Sequence, residues 1–371
     1  MFKTVSVIFR RWVNSTDKIQ LFIILTLLSF GVLVSIASTP AVAVKIGLQP
    51  FYFIKQHLAI VPVSIAIILY VSMLKIRYIK LLSLLGYIAC IVLIICTFSF
   101  GMEIKGARRW LNIWGFSLQP SEFLKPTLTI VTAWLISEQY RDRSFPGIIL
   151  SFATIFITVP ILLLQPDVGM TVIILGTWLS QLFISGLSIS MIITYCITAI
   201  SAIISLYFLL PHFADRIDKF LFGGIDESDT YQVKRSLEAF KNGGLLGKGP
   251  GEGVIKTAVP DSHSDFVFSV IGEEFGFITC VAVIALFVSY IIRVLTRIMK
   301  SSDMFQTIAG FGILCQILLQ TLINIGTSLN LIPTKGMTLP FISYGGSSML
   351  ATSISVGIVL CLTKRQNVLQ N

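Results

Sequence analysis

Long runs of apolar residues recur along almost the whole chain, and no other feature restricts its fold as strongly. A run of about 20 apolar residues is long enough to cross a bilayer as an α-helix. Inside a bilayer, only helices and closed barrels satisfy all of their backbone hydrogen bonds. Because 55% of the 371 residues are apolar and only 12% are charged, little sequence is left for a soluble core. A soluble fold is therefore excluded.

The apolar runs can be grouped into ten spans of helical length. We therefore predict an all-α integral membrane protein with ten transmembrane helices, which forms one polytopic membrane domain over residues 1–371. The first run is long enough to span and further runs follow it, so it is interpreted as a membrane helix that is not cleaved. The predicted spans are 19–39, 56–74, 79–100, 122–138, 146–164, 168–186, 189–210, 266–292, 304–331 and 340–362.

Basic residues concentrate in alternate connections between the predicted helices. The basic connections include Lys75 to Lys80, Arg141 to Arg143 and Arg293 to Lys300, as well as both ends of the chain. Since lysine and arginine are enriched in cytoplasmic loops, this pattern predicts cytoplasmic termini. It also accounts for the net charge of +10 without a nucleic-acid partner.

The segment 211–265, between predicted helices 7 and 8, is then a large extracytoplasmic loop. It contains about half of the acidic residues of the chain, a density that a plain connection between helices does not require. Within it, Val233, Leu237 and Phe240 recur at helical spacing, and Gly243 follows them. We expect a short amphipathic helix here, and we expect the loop to carry part of the functional site.

A glycine-rich stretch around Lys248, at 243–253, invites comparison with a phosphate-binding loop. The nucleotide-binding form fails because Lys248 is followed by Gly249 rather than by serine or threonine. No nucleotide cofactor is therefore predicted. Two interpretations stay open, namely a tightly folded loop and backbone recognition of a lipid pyrophosphate or sugar.

Ionisable side chains cluster where this loop enters the eighth predicted helix. Asp261, His263 and Asp265 occur within five positions, immediately before an apolar run. A carboxylate that is half desolvated at a membrane interface has a raised pKa, which suits a general base. Asp265 or Ser264 could instead cap the helix, since either side chain can accept hydrogen bonds from unpaired backbone N–H groups.

Two adjacent carboxylates, Glu273 and Glu274, lie further inside the same predicted helix. A charged group at this depth needs a buried cationic partner or must be protonated. We interpret them, together with Asp167 at the corner between helices 5 and 6, as candidates for structural ion pairs. A proton relay is the alternative.

Several basic residues lie on the outer side, where the charge rule disfavours them. They could neutralise an anionic lipid headgroup, because arginine offers paired N–H donors that match phosphate oxygens. They could equally pair with acidic neighbours such as Glu103, Glu122 or Asp167. The members of this basic set are Lys105, Arg108, Arg109, Lys125 and Lys335.

Four blocks of sequence resemble, in the same order, those of the SEDS family (shape, elongation, division and sporulation). The family comprises polyprenyl-linked peptidoglycan glycosyltransferases. The GARRW and PTKGMTLP forms are more similar to its division branch than to its elongation branch. The blocks are GARRWLNIWGFSLQPSEFLK (106–125), LLQPDVG (163–169), HSDFVFSVIGEEFG (263–276) and PTKGMTLPFISYGGSS (333–348).

The resemblance implies an inverting glycosyltransferase that polymerises lipid II at the outer face of the bacterial cytoplasmic membrane, at the division septum. It implies that Asp265 is the catalytic residue, and that the partners are a class B penicillin-binding protein, other division proteins and membrane lipids. We expect the substrate to be bound by Arg108, Arg109, Lys125, Lys248, His263 and Lys335.

Three other functions stay open from the sequence. A lipid II flippase would use Glu273 or Glu274 for proton coupling, and an elongation-type polymerase would share the chemistry of the division enzyme. A noncatalytic scaffold for the division machinery is the third. A divalent cation such as Mg²⁺ could bridge the pyrophosphate, although no motif specifies a metal site.

Overall fold

The computed structural model describes residues 12–45, 47–104, 107–113, 116–187, 227–259, 261–332 and 336–364, with isolated positions between 190 and 214. Within these residues the chain is mostly helical. The helices are α1 (Lys18–Lys45), α2 (Tyr52–Met73), α3 (Ile76–Phe100), α4 (Pro120–Arg141), α5 (Gly147–Leu164), α6 (Val168–Ile184), α7 (Glu227–Gly243), α8 (Val267–Ile298), α9 (Met304–Ser328) and α10 (Gly346–Leu362).

The apolar runs of the sequence coincide with these helices, apart from the seventh predicted span, which lies largely outside the described residues. Of the described helices, α1, α2, α3, α5, α8 and α9 are long and apolar enough to cross a membrane, and α6 and α10 are shorter apolar helices. The prediction of an integral membrane protein built from apolar helices is confirmed at this level.

The segment between α3 and α4 is not helical, so the prediction of an all-α chain is wrong at this position. Three short strands, β1 (Met102–Ile104), β2 (Ala107–Ile113) and β3 (Phe116–Leu118), form an antiparallel sheet in the order β1-β2-β3. Arg108 pairs with Glu103 in the register of the sheet. Ile104, Trp110, Ile113 and Phe116 are residue types that favour strands.

Helix α4 is the polar centre of the bundle. It packs against α3, α5, α6, α9 and α10, and most of its residues are buried, including the charged Glu122 and Lys125. Because neighbouring helices surround it, α4 can carry polar side chains at membrane depth. Side-chain bonds then join it to other helices: Gln181 of α6 donates to the Thr129 carbonyl, and Thr129 donates to Gln316 of α9.

Helix α8 is broken at Gly276, whose φ of 82° and ψ of 175° are not helical. Only glycine adopts this conformation at low cost. The break produces a short N-terminal half, which carries Glu273 and Glu274, and a longer C-terminal half. Breaks of this kind leave backbone groups without partners, and at membrane depth those groups must be satisfied by other protein segments.

The glycine-rich turn that follows α7 supplies those partners. Phe277 and Ile278 donate their backbone N–H groups to the carbonyls of Gly244 and Leu245. In the opposite direction, the N–H groups of Lys248 and Gly249 bond the carbonyls of Glu273 and Glu274. The turn thus joins the two halves of α8 through backbone hydrogen bonds, as a neighbouring β-strand does in a sheet.

Helix α7 confirms the short helix predicted in the loop. It begins at Glu227 and packs against α8 and α9, with Ser236 donating to the carbonyl of Ser328 at 2.6 Å and Phe240 contacting Phe268. The segment between α7 and α8 is therefore folded onto the helices.

Candidate active site

Asp265 lies in the tight turn that leads into α8. Three consecutive carbonyls of this turn are held from outside it. The backbone N–H of Tyr344 bonds the carbonyl of His263 at 2.9 Å, and the hydroxyl of Ser343 bonds that of Ser264 at 2.6 Å. The side-chain amide of Asn324 bonds the carbonyl of Asp265 at 3.0 Å. The backbone beneath Asp265 is therefore fixed by α9 and by the segment before α10.

The Asp265 carboxylate itself is half-buried, and it faces the segment that begins at Gly336. A Cβ atom placed on Gly336 would lie 3.4 Å from Asp265 Oδ2, so that backbone passes directly beside the carboxylate. Lys335 comes immediately before this segment but lies outside the described residues.

His263 belongs to an aromatic cluster on α2 and the segment before α10. Its ring stacks on Phe53 with centroids 5.3 Å apart and contacts Tyr344 at 5.6 Å. The Tyr344 hydroxyl hydrogen bonds Gln56. These contacts hold the imidazole two residues from Asp265 and join the loop to α2.

Lys125 is almost completely enclosed. Its ammonium lies 2.8 Å from Glu122 Oε2 and donates to Gln320 at 2.8 Å, and its side chain is 1% exposed. Gln320 in turn donates to the carbonyl of Thr338 at 3.0 Å. In this structure Lys125 neutralises Glu122 inside the protein, so its charge is not offered directly to the outer surface.

The two arginines of β2 have different environments. Arg109 Nε donates to the carbonyl of Gln165 at 3.1 Å, and a guanidinium nitrogen lies 3.9 Å from Asp167 Oδ1. Arg108 pairs with Glu103 at 3.3 Å, and both of these side chains are about half exposed or more, at 49% and 60%. Arg108 therefore offers its charge to solvent, whereas Arg109 braces the corner between α5 and α6.

Asp167 caps the N-terminus of α6 by accepting a hydrogen bond from the Met170 N–H at 3.3 Å. Burial raises the pKa of this carboxyl, although the Arg109 charge and the Met170 hydrogen bond lower it in part. Its stability as an anion therefore depends on Arg109.

Neither intramembrane glutamate points toward an open site. The Glu274 carboxylate pairs with Lys256, and the Glu273 carboxylate accepts hydrogen bonds from the N–H groups of Ile255 and Lys256 at 2.8 Å each. Lys248 keeps an exposed side chain, while its N–H bonds the carbonyl of Glu273. The glycine-rich stretch is thus a folded structural turn in this structure.

Four residues of the site were missed by the sequence interpretation: Lys256, Gln320, Asn324 and Ser343. Each is buried and bonds a segment remote in sequence. The available signal was the presence of Gln320 and Asn324 inside an apolar run, where polar side chains need partners. Lys256 and Ser343 had no such signal. Across the described ranges, no three His, Cys, Asp or Glu side chains are grouped so that they could hold a metal ion.

Comparison with known proteins places this geometry in a family. The chain is 42% identical over 356 residues to a "Probable peptidoglycan glycosyltransferase FtsW" of Caulobacter vibrioides, covering 96% of this chain and 91% of the relative. It is 33% identical over 353 residues to the protein of the same name from Aliivibrio salmonicida, covering 93% and 88%.

Solved structures share the fold. A chain from "Structural coordination of polymerization and crosslinking by a peptidoglycan synthase complex" superposes with a TM-score of 0.77 at 23% identity, covering 96% of this chain and 99% of that one. The rod shape determining protein RodA of Thermus thermophilus gives 0.68 at 23% identity, covering 96% and 98%. The family model FTSW_RODA_SPOVE, described as "Cell cycle protein", matches residues 18–368. The chain therefore belongs to the FtsW, RodA and SpoVE family of cell cycle proteins.

Proposed function

We propose that this protein is a peptidoglycan glycosyltransferase of the division type that polymerises lipid II. Its relatives from C. vibrioides and A. salmonicida carry the name peptidoglycan glycosyltransferase FtsW. Its apolar helices and its family make it a multi-pass protein of the inner membrane. The observation that carries the proposal is the placement of Asp265, a half-buried carboxylate on a turn whose backbone is fixed at three consecutive carbonyls.

Asp265 acts as the general base in this proposal. It takes the proton from the C4 hydroxyl of the acceptor GlcNAc as that oxygen attacks C1 of the donor MurNAc. The bond from C1 to the pyrophosphate breaks, the anomeric centre inverts, and undecaprenyl pyrophosphate leaves with the bonding electrons. A positioned base contributes ~10²–10⁴ in rate.

Cationic side chains offset the charge that grows on the leaving pyrophosphate. Arg108 is suited to direct contact because its side chain is 49% exposed, and Lys248 is also exposed. Lys335 and His263 belong to this substrate-binding set because they border the segment and turn that hold Asp265. Arg109 and Lys125 support the site through their pairs with Asp167 and Glu122.

The proposal includes ten membrane spans, cytoplasmic termini and a position at the division septum. With this orientation the sheet, α7 and Asp265 face outward, where lipid II is polymerised. The structural neighbour from a complex of polymerization and crosslinking supports a crosslinking partner, which we propose is a class B penicillin-binding protein. Other division proteins and membrane lipids complete the expected partners.

Asp265→Asn in the purified complex with lipid II tests the base assignment. The N-cap of α8 is Phe266, with no side-chain cap hydrogen bond, so the substitution removes no helix cap. Asparagine keeps the size of aspartate but cannot take the proton, so polymerisation should fall by ~10²-fold or more at nearly unchanged stability. Asp261→Asn is the matched control, since Asp261 has a φ of 51° that asparagine tolerates well. Polymerisation near the wild-type rate by Asp265→Asn would refute the assignment. Loss of lipid II translocation with polymerisation retained would favour the flippase.

A further inference from the structure

We infer that Asn324 of α9 is a positioning residue for Asp265, an inference that rests on the proposed function of that carboxylate. The side-chain amide of Asn324 donates to two carbonyls, that of Asp265 at 3.0 Å and that of Met337 at 2.6 Å. Asn324 is 1% exposed. Both partners are acceptors, so the amide must present its two N–H groups to them.

These two bonds join the turn that carries Asp265 to the segment that passes beside its carboxylate. Gly336, adjacent to Met337, is the residue whose added Cβ would meet Asp265 Oδ2 at 3.4 Å. Asn324 therefore fixes the position of the Asp265 turn relative to the segment that passes beside the carboxylate. A shift of the turn relative to this segment would change the distance from the carboxylate to a substrate hydroxyl.

The segment that begins at Gly336 is also held by a second residue, which lies one turn before Asn324 in α9. Gln320 donates to the carbonyl of Thr338 at 3.0 Å and accepts a hydrogen bond from Lys125 at 2.8 Å. Gln320 and Asn324 are four residues apart and so lie on one face of the helix. That face connects the Glu122 and Lys125 pair to the Asp265 turn through residues 337–338.

Asparagine is suited to this role because its amide has two donors on a short side chain. Leucine has a similar size but no donor, so Asn324→Leu leaves two carbonyls unpaired and unlinks the two segments. A displacement of about 1 Å at a reacting group can cost 10²-fold in rate. Substrate binding depends on other side chains, so the loss should appear in kcat rather than in KM.

Asn324→Leu in the purified complex with lipid II tests the inference, with Thr321→Val as the matched control. Thr321 is buried in the same helix, and its hydroxyl bonds the Ile317 carbonyl of that helix at 2.8 Å. We expect kcat to fall ~10–100-fold for Asn324→Leu at unchanged KM, and Thr321→Val to behave like wild type. In an Asp265→Asn background, Asn324→Leu should cause no further loss, because it acts through Asp265.

Hydrogen exchange measured by mass spectrometry supplies a readout that does not depend on activity. Asn324→Leu should accelerate exchange in 261–266 and 336–339, and Thr321→Val should not. Unchanged exchange in both segments, or an equal loss of kcat in the Asp265→Asn background, overturns the inference. If Asp265→Asn is itself active, the base assignment is wrong, whereas the exchange data still decide whether Asn324 links the segments. Should Asn324→Leu fail to accumulate, Asn324→Ser, which keeps one donor, should show the same two effects more weakly.

Discussion

The ammonium of Lys256, in the loop between α7 and α8, pairs with the carboxylate of Glu274 in α8, and the two residues are 4% and 1% exposed. Lys256 also donates to the carbonyl of Ala37 in α1 at 2.9 Å. One buried cation therefore connects the loop, the N-terminal half of α8 and α1. The neighbouring Glu273 adds bonds to the backbone of the same loop.

Lys256→Ala should strongly destabilise the protein because it leaves the Glu274 carboxylate buried without its cation. Breaking a buried ion pair in this way costs ~3–5 kcal/mol. Thermal unfolding of the detergent-solubilised protein measures the loss. Adding Glu274→Gln to Lys256→Ala should restore part of the stability, since no buried charge is then left unpaired. Lys248→Ala, at an exposed side chain of the same loop, should change little. A Lys256→Ala protein as stable as wild type would contradict this account of the pair.

Gly276→Ala should damage the junction between the two halves of α8. The backbone at Gly276 has a φ of 82°, and a Cβ there would lie 2.4 Å from the N atom of Gly247. Strain of ~1–3 kcal/mol adds to the displacement of the turn. Gly251→Ala is the matched control, because Gly251 has a φ of 89° but nothing within 4 Å of an added Cβ. If both variants unfold at the same temperature, backbone strain alone sets the cost and the close approach to Gly247 is irrelevant.

Two alanine variants should distinguish an arginine that supports the fold from one that contacts the substrate. They are Arg109→Ala and Arg108→Ala. Arg109→Ala removes the cation beside buried Asp167, so stability should fall by roughly 1.5–3 kcal/mol for lost hydrogen bonds of a charged group. Arg108→Ala breaks an exposed pair with Glu103 and an exposed hydrogen bond to the Phe98 carbonyl, so stability should change little. Lipid II use by the Arg108 variant should nevertheless weaken. The prediction is wrong if Arg108→Ala polymerises with an unchanged KM for lipid II.

Asp17 should make stability depend on pH only under acidic conditions. Its Oδ2 lies 2.9 Å from Arg293 and 2.8 Å from Arg297. Burial acts to raise the pKa of Asp17, but the Arg293 hydrogen bond, the Gln20 N–H and both arginine charges outweigh it and lower the pKa below its ordinary 3.8. Because the pKa of Asp17 is lowered in the folded protein, its charge stabilises the fold fully at any pH above the ordinary pKa. This stabilisation is lost as the pH falls through the lowered pKa.

Unfolding of wild type and Asp17→Asn across pH 7 to 3 measures this effect. Asparagine can still cap α1 but loses both charge pairs. The two proteins should differ at neutral pH, and the difference should begin to shrink near pH 3.8, where Asp17 of the unfolded chain takes up a proton. It should continue to shrink until the pH has fallen below the lowered pKa of the folded protein. A difference that is constant over the whole range would exclude the charge pairs as its source.

Cysteine labelling of sealed cells should establish the orientation. In a background without native cysteines, Lys248→Cys and Glu252→Cys should react with an impermeant reagent from outside, because both positions are exposed in the outer loop. Arg143→Cys and Lys300→Cys, also exposed, should react only after the membrane is opened. Labelling of Arg143→Cys in intact cells would reverse the topology and move Asp265 to the cytoplasmic side.

The class of the protein and most of its helices could be predicted from the local pattern of residues. Hydropathy measures the free energy of placing each segment in lipid, and this depends mainly on the residues of that segment. The loop helix was predictable for the same reason, since Val233, Leu237, Phe240 and Gly243 form a local pattern. Short motifs were enough to identify Asp265, at the start of α8, as the candidate base.

The pairing of polar groups and the breaks in the backbone could be seen only once the chain was folded. Asn324 and Asp265 are 59 positions apart, and Lys125 and Gln320 are 195 apart. Such pairs form only after the helices have packed, so no local pattern encodes them. The break at Gly276 depends likewise on a remote turn that satisfies the exposed backbone. The hydropathy of a segment determines whether it enters the membrane. Which polar side chains form pairs is determined by the free-energy cost of leaving a polar group unpaired inside the packed helices.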